Sequence, residues 1–148
     1  GVPADGLPAE VYAKRLLAGH PDLLLDFVNR NLELRNQPEV RKQLLLATKA
    51  QLDARRLEFN YSVPETWAMG RIEMELGNWE AAREQFDMLL QLSYGHTAGR
   101  YQRVLARIEL GELAKAEDEM RGLVEANPNN TTYQQTLKRI QAARLQAP

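Results

Sequence analysis

Residues 67–90 read WAMGRIEMELGNWEAAREQFDMLL, and residues 101–124, 34 positions further on, read YQRVLARIELGELAKAEDEMRGLV. Laid one above the other, Trp67 meets Tyr101, Met74 meets Ile108, Glu75 meets Glu109, Leu76 meets Leu110 and Gly77 meets Gly111. The match continues with Trp79 over Leu113, Ala82 over Ala116, Phe86 over Met120, Leu89 over Leu123 and Leu90 over Val124. A single pair of this kind is cheap, but a run of them in one register marks a repeated unit. Each unit predicts a helix ending at Leu76 or Leu110, a tight turn at Gly77 or Gly111 where glycine opens the left-handed backbone, and a second helix. Ala82 and Ala116 lack bulk where the second helix must approach the first, and Phe86 and Met120, one turn later, fill the space beside them.

Working outward, the segment Asn127-Pro128-Asn129-Asn130 stops one helix and starts another. Proline disfavours helical backbone before it, and Asn130 or Thr131 can cap the helix that follows. Toward the N-terminus, prolines predict helix starts at Pro8, Pro21 and Pro38, giving helices over about Pro8–Ala18, Pro21–Arg35 and Pro38–Phe59. Leu23, Leu24, Phe27, Val28 and Leu32 form a broad apolar face in the second of these. Val40, Leu44, Leu45, Ala47, Leu52 and Leu57 serve the third. No 34-residue match extends into residues 1–62. They read equally as degenerate repeats, as repeats with insertions or as a distinct cap.

The Leu76-Gly77 and Leu110-Gly111 turns, Gly70 inside the first helix, the Ala82/Phe86 and Ala116/Met120 pairs and the closing Pro128 together resemble the tetratricopeptide repeat. The resemblance covers about residues 63–130, with 131–148 fitting the terminal helix that solvates such arrays. It implies an all-α solenoid of antiparallel helix hairpins with about seven or eight helices. The expected organisation is a single helical domain over 1–148, comprising N-terminal helices in 1–62, repeats at 63–96 and 97–130, and a capping helix at 131–148. The chain departs from the family pattern at Val104, where a small residue is expected, at Tyr94, where proline is expected, and at Arg100, Arg103 and Arg107, which occupy commonly apolar positions. Family members that clamp acidic C-terminal tails use basic and amide side chains along their first helices. Here the matching positions hold Trp67, Arg71, Gln102, Thr132 and Thr136, so only Arg71 is positive and that activity is not expected.

Composition sets the outer bounds. The chain has 148 residues, 44% hydrophobic and 26% charged, as an ordinary soluble globular domain does. A net charge of -1 gives no electrostatic footprint for nucleic acid. With no cysteine there is no disulfide, thiolate nucleophile or thiolate metal site, and the compartment stays open. Apolar runs such as Leu23–Leu25 and Leu44–Leu46 fall far short of the roughly 20 residues that cross a bilayer, so no transmembrane segment is expected. Beginning at Gly1 without a charged-then-apolar leader, the sequence reads as a mature chain or an excised piece.

No constellation predicts chemistry. The only histidines, His20 and His96, lie far apart at helix junctions without metal-ligand spacing, which favours local capping or packing. The acidic groups Glu73/Glu75 and Glu117/Asp118/Glu119 point around their helices rather than converging, which favours a solvated surface. Ser62 and Ser93, the only serines, sit in no nucleophile turn, and no glycine-rich loop precedes a lysine. Gly95 and Gly99 flank His96 and read as turn residues. No catalytic residue, cofactor or metal is expected.

The informative feature is a side of the first helices. In tetratricopeptide register, Trp67, Met74, Tyr101, Leu105 and Ile108, with Arg71 among them, fall on the concave face. These six and Arg139 are the candidate partner-binding residues. Such a face is expected to be covered by a peptide or helix, by another copy of the chain in a homodimer, or by the chain's own helices. Arg100, Arg103 and Arg107 form a stripe that meets carboxylates such as Glu73, Glu80 or Glu84 on a neighbouring helix, faces water, or reaches phosphates together with Arg139. The leading expectation is a protein-interaction scaffold without enzymatic activity. The alternatives are a structural or oligomerisation segment of a longer protein and, third, a helical solenoid for nucleic acid.

Overall fold

A computed structural model of the chain describes Val11, Arg15 and residues 21–58 and 62–146. Among the described residues there are eight helices and no strand: α1 (Pro21–Arg30), α2 (Leu32–Arg35), α3 (Pro38–Glu58), α4 (Val63–Glu75), α5 (Trp79–Leu92), α6 (Thr97–Glu109), α7 (Leu113–Ala126) and α8 (Thr131–Gln146). The protein is all-α. The helix expected over Pro8–Ala18 lies outside the described residues apart from Val11 and Arg15, and so do His20 and Phe59. Contacts gather the chain into two compact units, Gly1–Gly77 and Asn78–Pro148.

In the first unit, the helix expected to run unbroken from Pro21 to Arg35 is interrupted at Asn31. The Asn31 backbone leaves the helical region at φ -75°, ψ 115°, and its side chain accepts a hydrogen bond from the Leu34 backbone N–H at 3.1 Å. The correction has a local cause: asparagine offers the backbone an alternative to helix continuation and caps the new turn instead. α1 packs against α2 and α4, and α3 against α2 and α4. Leu24, Leu25, Val28, Leu34, Leu44, Leu45, Leu52, Met69 and Ile72 are buried, each such side chain contributing about 1.5–3 kcal/mol by leaving water. α3 has 21 residues, about 31 Å at the helical rise. Arg41 pairs with Glu75 at 2.6 Å, Lys49 with Glu73 at 3.0 Å and Arg55 with Glu65 at 3.4 Å. The rising numbers on α3 against falling numbers on α4 make the two antiparallel. Ser62 caps α4, its hydroxyl accepting the Glu65 N–H at 3.3 Å.

In the second unit α5 packs on α6, α6 on α7 and α7 on α8, each helix against its neighbour in the chain. Ala82, Phe86, Val104, Ala116 and Met120 are wholly buried, so the small-then-large pairs on α5 and α7 occupy the core as their spacing predicts. Between α6 and α7, Gly111 takes φ 78°, its N–H bonds to the Ile108 carbonyl at 3.1 Å, and the Glu112 N–H reaches back to Arg107 at 2.9 Å. This is a Schellman turn, and the left-handed residue it needs is supplied by glycine. Gly77, at the end of the first unit, has a matching φ of 76°. Asn130 caps α8 by accepting the Tyr133 N–H at 3.0 Å. Arg144 on α8 pairs with the buried Glu117 of α7 at 2.7 Å.

Gly99 is not a turn residue. It lies in the first turn of α6, and a Cβ there would stand 2.7 Å from the Leu89 side chain, so its smallness lets α6 close onto α5. Gly95 does lie in the turn between these helices.

Candidate functional site

Of the residues chosen from sequence, Trp67, Arg71 and Met74 belong to the first unit and Tyr101, Leu105, Ile108 and Arg139 to the second. On α4, Trp67 and Met74 are half-buried. The Arg71 guanidinium lies 5.3 Å from the centre of the Trp67 ring and pairs with Asp26 of α1 at 3.2 Å. Arg71 is thus one turn from Trp67 on a shared face, and its charge is balanced inside the unit.

On α6, Tyr101 and Ile108 pack against the buried cluster of Val104, Ala116, Met120, Leu123 and Ile140, alongside Tyr133 and Leu137 of α8. The Tyr101 and Tyr133 rings are 4.9 Å apart, and the Tyr101 hydroxyl shares a hydrogen bond with the Thr136 hydroxyl at 2.9 Å. The chain's own last helix therefore covers Tyr101, and Ile108 is taken up by the same core cluster. Leu105 is half-buried and stands outside that packed set, while Arg139 on α8 is exposed.

The arginine stripe converges on carboxylates, though not on the glutamates expected. Arg103 donates to both oxygens of Glu119, through Nε at 3.1 Å and also through a terminal nitrogen, and to Asp87 at 2.8 Å. Arg107 reaches Glu119 at 3.3 Å, and Arg100 reaches it at 3.6 Å. One carboxylate with 11% of its side chain exposed thus gathers three guanidinium groups. Asp87 and Glu119 lie 16 positions before and after Arg103, because α6 is packed between α5 and α7. Glu73 instead pairs with Lys49, Glu80 lies 4.0 Å from Arg83, and Glu84 is exposed. Hydrogen bonding to Glu119, more than that to Asp87, holds the Arg103 proton more tightly than in a free guanidinium, against the opposing pull of burial. Glu112 extends the lattice, pairing with Arg83 at 2.8 Å and standing 3.8 Å from Arg107.

Beside this lattice the surface opens into a groove of about 400 Å³ lined by Tyr94, Thr97, Arg100, Asp118, Gly122 and Ala126 among others. A neighbouring hollow of about 540 Å³ shares Tyr94 and Arg100 and adds Asp87, Leu90, Gln91 and Arg103. Tyr94 is 80% exposed, and the Arg100 guanidinium stacks 4.4 Å from its ring centre while donating to its backbone carbonyl at 2.7 Å. His96 accepts the Gly99 N–H on Nδ1 at 2.8 Å and so caps α6, the local role its position predicts. Sequence reasoning did not single out Tyr94 and Asp118 as a pair. The available signal was the departure at Tyr94, a large aromatic where the repeat pattern calls for proline.

Among the described residues no group of three or more histidine, cysteine or acidic side chains is placed to hold a metal ion, and no helix is long and apolar enough to cross a membrane. No protein-family model, curated protein or solved structure matches the chain.

Proposed function

We propose that this chain is a protein-interaction scaffold, a stack of antiparallel helical hairpins of the tetratricopeptide kind. It binds a peptide, a partner helix or a second copy of itself and transforms no substrate. The observation that carries the reading is the recurrence, 34 residues apart, of a helix closed by a left-handed glycine, φ 76° at Gly77 and 78° at Gly111. It is joined by the neighbour-on-neighbour packing of α5 to α8. Repeated hairpins of this kind present extended surfaces suited to other polypeptides. The charged side chains agree with that role, since Arg103, Arg107, Glu112 and Glu119 are committed to holding helices together. By repeat register the candidate binding residues are Trp67, Arg71 and Met74 on α4 in the first unit and, separately in the second, Leu105 on α6 with Tyr101, Ile108 and Arg139.

The test is sedimentation over a concentration series for the wild type and for Leu105→Glu, with circular dichroism on both. The expected result is a folded variant that loses a self-association the wild type displays. Two folded monomers would direct the same surface to a peptide partner. Loss of cooperative melting in Leu105→Glu would make this side ordinary core and overturn the binding face.

A further inference from the structure

The groove beside Tyr94 carries features that the packing of its own unit does not use. Gly122 stands in the interior of α7, where glycine is a poorer helix former than alanine. It lacks a positive φ, and a Cβ added there would meet nothing within 4 Å. Neither the backbone nor a neighbouring helix asks for glycine at this place, whereas close approach by another polypeptide would. Asp118, one turn earlier on the same face, is exposed and makes no ion pair among the described residues. The last turn of α7 contains Glu125 and no basic residue, so its negative end is met by no charge, only by Asn127, whose amide donates to the Leu123 carbonyl at 3.0 Å. Arg100, the cation of the groove, is already held by the Tyr94 carbonyl and Glu119.

We propose that this groove docks a basic peptide segment. Its lysine or arginine side chain enters between Tyr94 and Asp118 and donates to the Asp118 carboxylate, and the peptide backbone passes close over Gly122. The Tyr94 ring, 80% exposed and already stacked on the Arg100 guanidinium, walls the same groove as Asp118. The negative end of α7 supplies the remaining attraction. The unpaired charge of the site selects the partner: an acidic segment would meet Asp118 and the helix end together, while Arg100 is already engaged by Glu119. This inference rests on the scaffold reading and names the chemistry of one partner.

The probe is an acetylated, amidated hexapeptide with adjacent lysine and arginine between glycines, titrated into the full isotope-labelled chain and followed by amide chemical shifts. The expected result is that Gly95, Asp118 and Gly122 shift together. Asp118→Asn then weakens binding about fivefold or more, as loss of a charge-assisted contact does, and Gly122→Leu removes it. Leucine there faces open space and favours helix, so the variant folds, which unchanged shifts elsewhere would verify. Shifts scattered over all acidic positions, or equal affinity in Asp118→Asn, would overturn the proposal. Equal or tighter binding of spermidine at the same amides would assign the groove to free polyamines and overturn it as a peptide site. Failure here with a folded Leu105→Glu removes the groove alone, whereas failure here together with loss of cooperative melting in Leu105→Glu removes the binding face of the scaffold reading as well.

Discussion

The two units solve the same packing problem in different orders. In the second, every helix lies against its neighbour in the chain, α5 on α6, α6 on α7 and α7 on α8. In the first, α1 reaches past α2 and α3 to pack on α4, and the long α3 runs antiparallel along α4 through separate ion pairs. Their electrostatics differ in the same way. The first unit distributes its charges pair by pair, while the second draws three arginines onto Glu119. A sequence period is legible where contacts are sequential, because each helix then meets the same kind of neighbour at the same spacing.

The largest effects test whether the units are separate in energy as well as in contacts. Met120→Ala and Leu52→Ala each delete a fully buried side chain, and each should cost about 2–5 kcal/mol. Hydrogen exchange of backbone amides reads the outcome unit by unit. Met120→Ala is expected to accelerate exchange in α6 to α8 and leave α3 and α4 protected, with the converse for Leu52→Ala. Acceleration throughout the chain by either variant would break the comparison and make the two units one cooperative body.

The next effect tests the electrostatic contrast. Glu119→Gln leaves three guanidinium groups facing a neutral amide, two of them with only 16% and 17% of their side chains exposed. Stripping the charge from such a half-buried cluster should cost about 2–3 kcal/mol. Glu75→Gln removes one pair whose members are 35% and 23% exposed, and should cost under about 1 kcal/mol. Urea denaturation of both variants at low and high salt gives the comparison. Equal losses would mean that gathering the arginines on one carboxylate confers nothing beyond ordinary surface pairing.

Much of the second unit could be read from its residues, since alternation of small and large side chains, a glycine in the turns after α5 and α6 and an asparagine cap all act within a few positions. The break at Asn31 escaped because helical periodicity continues through it. It was set by one side chain turning back on the Leu34 backbone. The arginine partners escaped for the opposite reason. Asp87 and Glu119 are 16 positions from Arg103, a distance that becomes a contact only once α6 is known to pack between α5 and α7. The candidate face was legible as an apolar stripe. That Tyr101 is spent on packing against α8 depends on where Tyr133 and Thr136 land.

The smallest effect sharpens what regularity means inside the second unit, using two glycines that the sequence does not distinguish by helix position. At Gly99 a Cβ would press within 2.7 Å of Leu89 and 3.0 Å of the capping His96 ring. Gly99→Ala should therefore destabilise by about 1–2 kcal/mol through overpacking. At Gly122 the same methyl meets open space, so Gly122→Ala should stabilise by about 0.5–1 kcal/mol through helix propensity and a less entropic unfolded chain. Thermal melting measures both, and opposite signs are the expected outcome. A Gly122→Ala variant that melts lower than the wild type would show that this position serves the unit's own packing. The regular stack would then require both glycines, and the space beside Tyr94 would lose its reason to be read as room for another chain.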